Sequence, residues 1–437
     1  MGDMSQARVV LSPVGGARRA VIAASVGTVI EGYDLLLYGY LAGVLATRFF
    51  PADDPTAALL NTFAIYAVGF AVRPIGGVVF GHVGDRVGRR PALAASMLLM
   101  AAGTLGIGLL PTYQSIGVWA PVSLLICRLV QGFAIAGEYV GANILILEHA
   151  ADGRSGRAVS ANQVAVYVGV AAAAATSLLL ASSLTPAQLA AWGWRLPFLA
   201  AVPLALVGLY IRGSVPDSPA LDAPGIVRPR FPLIVALRTV KRGIAVFAGW
   251  LVMVTLGGFL LFGYMPSYLT RVVGMDATVA FGANLAAVFA LAVGAVAGGH
   301  LVDRFPPRTV AIASAVGVAV SVVPGFMLIQ QGTFAAAVLG QVIWAVGIGI
   351  SATVSALLSA SQFPVPIRFA ATGLAYNVSV TVFGGTAPYV STWLLSRTHD
   401  PVAPAWYLAG AALLGLATAV VGWRGPSWMV TGEPCSG

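Results

Sequence analysis

The chain has 437 residues, of which 58% are apolar and only 9% are charged, against about a quarter charged in an ordinary soluble domain. So few charges cannot cover the surface of a soluble protein of this size, which excludes a water-soluble enzyme, a nucleic-acid binder and a disordered chain. The net charge of +9 comes from 23 Arg and one Lys against 15 acids, and where those cations fall explains the excess better than an anionic partner does.

Residues 1–19 are polar and contain no short apolar core of the signal-peptide kind, so the long apolar segment after them is expected to remain in a membrane. From there, runs close to the ~20 residues a helix needs to cross a bilayer recur along the chain. They cover 20–46, 58–81, 91–110, 117–147, 158–181 and 195–212, then 243–270, 277–300, 309–330, 334–359, 369–395 and 402–423. The runs are continuously apolar and not alternating, which excludes a transmembrane β-barrel. The expected fold is an all-α membrane protein with twelve transmembrane helices in two six-helix bundles. Its divisions are a 1–19 tail, a 20–212 bundle, a 213–242 central loop rich in Pro and Arg, a 243–424 bundle and a 425–437 tail.

Counting Lys and Arg loop by loop sets the orientation. With the N-terminus in the cytoplasm, the inner segments hold 18 of the 24 cations and the outer segments four, Arg48, Arg195, Arg271 and Arg397. Both termini are therefore expected to be cytoplasmic, in a multi-pass protein of the cell membrane.

An ionisable group inside a span is costly and marks function by default. Five lie deep in the spans: Glu31 and Asp34 in the first, Arg73 in the second, Arg128 and Glu138 in the fourth. Glu31 and Asp34 are three residues apart and share a helix face, which makes them candidates for carrying a proton or for pairing with an arginine. Arg128, with Gln131 one turn on, can present its planar fork to a carboxylate or form a permanent ion pair with span 1. Arg73 and Glu138 are placed to pair with each other in a structural or gating role.

The string Gly81-His82-Val83-Gly84-Asp85-Arg86-Val87-Gly88-Arg89-Arg90 follows the second span, and Gly299-His300-Leu301-Val302-Asp303-Arg304-Phe305-Pro306-Pro307-Arg308 follows the eighth. Five of ten positions match across an offset of 218, about half the chain. Two parallel halves related by an axis along the membrane normal are one plan of secondary transporters. Gly81, Asp85, Arg86, Arg89 and Arg90, with Glu148, Arg157, Asp303 and Arg304, are expected to latch one conformation at the cytoplasmic face.

The first string resembles the G-x-x-x-D-R-x-G-R-R signature of the major facilitator superfamily, and Arg128-Leu129-Val130-Gln131-Gly132 resembles its R-x-x-Q-G. Glu31-Gly32-Tyr33-Asp34, Arg73-Pro74-Ile75-Gly76-Gly77, Gly137-Glu138-Tyr139, Trp192-Gly193-Trp194-Arg195, Tyr376-Asn377 and Phe383-Gly384-Gly385 resemble its metabolite–proton symporter branch. Gly32 and Ala136 depart from that branch, which usually has Trp and a second Gly there.

The resemblance implies a proton-coupled secondary transporter that works by alternating access, with small-molecule substrate, protons and the lipid bilayer as partners. No nucleic-acid partner and no cofactor or metal are expected, and the transporter is expected to act as a monomer. R-x-x-Q-G favours coupling for Arg128, with Glu31, Asp34 and Glu138 as acids. Candidate substrate groups are Tyr33, Arg128, Gln131 and Gln163 in the first half, and Tyr264, Trp344, Tyr376 and Asn377 in the second. The expected activity is import of a carboxylate-bearing metabolite, an organic acid or a zwitterion such as proline or betaine. A proton-driven exporter of a drug or biosynthetic product is the alternative. Enzymatic signatures such as G-x-S-x-G or H-E-x-x-H are absent from the sequence.

Overall fold

The structure, a computed structural model, describes residues 14–51, 54–86, 89–135, 143, 146–147, 154–213 and 232–422. Within the helices it leaves out the side chains of 14–26, 35, 78, 81–86, 89–93, 204–205, 208–213, 360 and 365–366. No β-strand occurs among the described residues.

In chain order the N-terminal set comprises α1 (Val14–Phe49), α2 (Pro55–Ala71), α3 (Arg73–Arg86), α4 (Arg89–Leu109), α5 (Tyr113–Ile116), α6 (Trp119–Ala134), α7 (Ser155–Ser183), α8 (Pro186–Ala191) and α9 (Leu196–Gly213). The C-terminal set comprises α10 (Pro232–Thr239), α11 (Lys241–Phe259), α12 (Met265–Arg271), α13 (Ala277–Arg304), α14 (Pro307–Ile329), α15 (Phe334–Ser361), α16 (Val365–Ser379), α17 (Ala387–Thr398) and α18 (Ala403–Ala417).

Eight stretches among the described residues are long and apolar enough to cross a membrane, the shortest being the 20 residues Ala403–Gly422. At 1.5 Å per residue that length spans ~30 Å, the thickness of the hydrocarbon core. Two shorter apolar helices, Ala94–Leu109 and Trp119–Ala134, fall where spans 3 and 4 were expected. The outer faces carry bare Val320, Phe289 and Val421. Such apolar patches would be a liability in water and are covered by lipid in a bilayer.

Helix starts follow local chemistry. The Asp54 carboxylate accepts from the backbone N–H groups of Thr56 and Ala57 at 2.8 and 3.0 Å, and Asp276 accepts from Thr278 at 2.8 Å. Each serves helix N–H groups that have no partner inside the helix.

Prolines set the breaks. Pro74 has no N–H to give the Phe70 carbonyl four residues back, and the second span divides at Val72 into α2 and α3. The Thr381 hydroxyl, from the other set, donates to that carbonyl at 3.0 Å instead. Pro266 and Pro388 each follow a π-helical turn, Leu260–Tyr264 and Val380–Gly384, that joins α11 to α12 and α16 to α17. There the ladder slips to i→i−5, as in Gly385 N–H to Val380 C=O at 2.7 Å. Such turns recur at functional sites in helices.

Small residues let helices approach closely, as is usual in membranes. A Cβ on Gly132 of α6 would lie 1.6 Å from the Gly69 carbonyl of α2, and one on Gly169 of α7 would lie 2.2 Å from the Val29 carbonyl of α1.

Candidate functional site

Besides the Phe70 contacts with Thr381 and Phe259, the two sets of helices meet in two layers. In one layer, α1 crosses the π turn before α12. A Cβ on Gly39 would lie 2.8 Å from the Gly263 Cα, and the Arg271 guanidinium donates to the Gly43 carbonyl at 2.8 Å. Close by, the Tyr40 hydroxyl donates to Asn284 Oδ1 at 2.8 Å, and Asn284 donates to Gln341 Oε1 and to the Leu261 carbonyl, each at 2.9 Å. Tyr40, Asn284 and Gln341 are buried, so their bonds are made in a medium where leaving them unmade would be costly.

In the other layer, the start of α7 meets the end of α13. Asp303 accepts from the Gly156 N–H at 2.7 Å and from the Arg157 N–H at 3.3 Å, and pairs with Arg157 Nε at 2.9 Å. The carboxylate thus caps a helix N-terminus of the opposite set. The contact is tight: a Cβ on Gly156 would lie 2.5 Å from the Gly299 carbonyl. Of the expected latch groups, Arg157 and Asp303 are brought together, while Arg304 is exposed. Glu148 lies outside the described residues, and so do the side chains at Gly81, Asp85, Arg86, Arg89 and Arg90.

Between the layers lies a cavity of about 110 Å³. A single water needs ~10–15 Å³ on this scale, so the space suits a small metabolite. Its N-terminal wall includes Glu31, Gly32, Arg73 and Gln163, and its C-terminal wall includes Phe259, Phe262, Ser355 and Tyr376. At Gly32 a Cβ would stand 2.9 Å from the Val166 carbonyl. This departure from the branch pattern keeps α1 and α7 close at the cavity wall.

Beside the cavity, inside the N-terminal set, runs a buried polar chain. Arg128 Nη1 donates to Gln131 Oε1 at 2.9 Å, Gln131 Nε2 donates to Thr104 Oγ1 at 2.7 Å, and the Thr104 hydroxyl reaches Asp34 Oδ2 at 3.3 Å and the Met100 carbonyl at 3.0 Å. Asp34 is 1% exposed and its Oδ1 has no hydrogen-bond partner. Arg128 lies over Tyr38 and Tyr66, with Cζ 4.5 and 4.8 Å from the ring centroids. Two aromatic faces stabilise a desolvated guanidinium by ~1–2 kcal/mol each. A small pocket of about 10 Å³, bordered by Arg73, Arg128, Gln131 and Gly69, adjoins this chain.

The candidates therefore separate. Glu31, Gln163 and Tyr376 line the cavity, and Arg73 does too, although it was expected in a gate. Arg128 and Gln131 border only the small pocket, so their side chains reach Asp34 through Thr104 and not the cavity. Glu31 and Asp34 face different surroundings, the cavity and α4 respectively. The Tyr33 hydroxyl donates to the Pro197 carbonyl at 3.3 Å. Tyr264 packs against Phe63 and Tyr268, and Trp344 stacks on Phe326 deep in the C-terminal set. Asn377 is half-buried beside Tyr376, outside the cavity wall. Glu138 lies outside the described residues. Sequence reasoning missed Thr104, a neutral residue in an ordinary apolar helix. It also missed the aromatic wall of Phe259 and Phe262, whose i, i+3 spacing was the available signal.

Residues 24–388 match the family model of the Major Facilitator Superfamily. A provisionally named proline/betaine transporter of Staphylococcus aureus (strain COL) is 35% identical over 407 residues, covering 91% of this chain and 86% of the relative. The proline/betaine transporter of Escherichia coli (strain K12) is 32% identical over 417 residues, covering 93% and 83%. Among solved structures, a partially occluded inward-open form of the xylose transporter from E. coli superposes with a TM-score of 0.73 at 19% identity, covering 94% of this chain and 98% of that chain. At that identity the likeness concerns the fold.

Proposed function

The chain belongs to the Major Facilitator Superfamily, and from that premise we propose that it is a proton-coupled symporter importing a small carboxylate-bearing metabolite by alternating access. Membership makes it a multi-pass membrane transporter and not an enzyme. The finer reading is twelve spans in two six-helix halves, 20–212 and 243–424, with both termini in the cytoplasm. It draws support from the hydropathy pattern, the repeated Asp-Arg strings and the 18-to-4 bias of cations.

The observation that carries proton coupling is the environment of Asp34. This acid lies within the first span with one oxygen on Thr104 and the other without a partner. Oδ1 can therefore hold a proton without displacing any hydrogen bond of the network. The Arg128–Gln131–Thr104 chain ends on the same carboxyl, so a change at Asp34 is felt at Arg128 through contiguous hydrogen bonds. The cavity beside it is walled by both sets of helices, as a site that serves alternating access must be. Proline and betaine, named for two relatives, are both of a size for it.

The test is accumulation in proteoliposomes under an imposed pH gradient, acid outside, across L-proline, glycine betaine and a panel of mono- and dicarboxylates. We expect at least one to be concentrated at least tenfold, and a protonophore to abolish the concentration. Transport indifferent to the gradient rejects proton coupling.

A further inference from the structure

We infer that Arg73, and not Arg128, is the cation that meets the carboxylate of the transported solute. The inference rests on the carboxylate-symporter reading above and assigns the anionic subsite within it.

Arg73 is 3% exposed, and its Nε and Nη2 are buried with no hydrogen-bond partner. These two nitrogens form one edge of the guanidinium plane, the side-on edge whose parallel N–H bonds match the two oxygens of a carboxylate. The same side chain borders the 110 Å³ cavity. A buried cation with an unused fork is expensive to keep, and a solute carboxylate in the cavity supplies the missing acceptors.

Local structure explains the placement. Pro74 divides the second span, and Arg73 opens the helix after the break, held with its Cζ 4.7 Å from the centre of the Phe70 ring. The opposite wall is largely apolar and aromatic, with Leu251, Phe259, Phe262 and Ile348, and its polar groups, Thr255, Ser355 and Tyr376, are neutral. It offers no fixed cation to compete for the carboxylate, and its ring faces suit an aliphatic or alkylammonium body. Arg128 also has a buried Nε without a partner and lies over aromatic rings, but Gln131 occupies its Nη1 and it does not reach the cavity wall. Because Arg73 also borders the small pocket shared with Arg128 and Gln131, a carboxylate on its fork lies one side chain away from the polar chain to Asp34.

The test compares acids with their neutral counterparts on the full chain in nanodiscs. Binding is measured for L-proline against L-prolinamide, glycine betaine against its methyl ester, and a panel of carboxylates against their amides. The wild type is expected to prefer the acid of at least one pair. Arg73→Gln is expected to weaken binding of that acid about ten- to a hundredfold, as loss of a charge-assisted fork should, and to erase the preference. Arg73→Lys keeps the charge without the fork and should fall between.

A second measurement on the wild type does not depend on a variant folding. Modification of Arg73 by phenylglyoxal, read by mass spectrometry, should be slowed by the acid and not by its amide. An acid preference that survives Arg73→Gln, or an acid that binds without protecting Arg73, overturns the assignment and leaves the symporter reading standing. No acid preference in any pair overturns both.

Discussion

Arg128 illustrates how residue type and residue surroundings divide the work. An arginine inside a span was legible from sequence alone, because its cost in a bilayer selects for function. Its partner was not legible. Span 1 offers two acids three residues apart, and only the packing shows that Asp34 turns toward Thr104 while Glu31 turns toward the cavity. Thr104 carries no mark in the sequence, since a lone hydroxyl in an apolar helix usually bonds back to its own helix, as it also does here. The arrangement predicts separate effects on binding and on coupling. Arg128→Lys keeps a positive charge but loses the fork that spans Gln131 and the Tyr38–Tyr66 faces. Gradient-driven accumulation should drop by at least tenfold, while solute affinity measured at equilibrium shifts by less than about threefold. A large loss of affinity would place Arg128 in contact with the solute.

At the scale of elements, the sequence was most readable where chemistry acts locally. Pro74, Pro266 and Pro388 each lie at a helix break or just after a π turn, because each leaves a carbonyl without its usual N–H. The second of the repeated Asp-Arg strings does make a contact between the sets, where Asp303 caps a helix of the opposite set. Which helix it would cap was not readable, since Arg157 and Gly156 lie 146 and 147 residues away in sequence. An exposed ion pair alone contributes little, but a carboxylate capping backbone N–H groups is worth ~1 kcal/mol. Asp303→Ala should therefore shift the balance between closed and open forms of this layer by about fivefold. Spin labels at Arg154 and Phe305, both exposed, report the separation by pulsed electron resonance. The variant should gain a longer-distance population, and an unchanged distribution would mean that Asp303 does not hold the layer shut.

For the whole molecule, scarcity of charge carried more information than any motif. It identified a membrane protein, and the family match agrees. It also singled out a few buried charges as candidates for the working parts. What it left open is how the two sets of helices face each other, because, apart from Arg271 and the Arg157–Asp303 pair, the contacts described between them are made by glycines, aromatic rings and neutral polar groups. Gly39 against Gly263 and Tyr40 against Asn284 emerge only from tertiary packing. The same packing sets the cavity apart from the Asp34 network while leaving Arg73 on the border of both pockets. On the proposed reading, coupling means that solute and proton occupy neighbouring sites in one set of helices, each favouring the closed form.

The most direct test is to add the preferred solute to proteoliposomes with no imposed gradient and follow the internal pH with a trapped dye. The account predicts that solute influx acidifies the lumen in the wild type. In Asp34→Asn, solute exchange persists and acidification is lost. Solute influx without any change of internal pH, or acidification undiminished in Asp34→Asn, would contradict it.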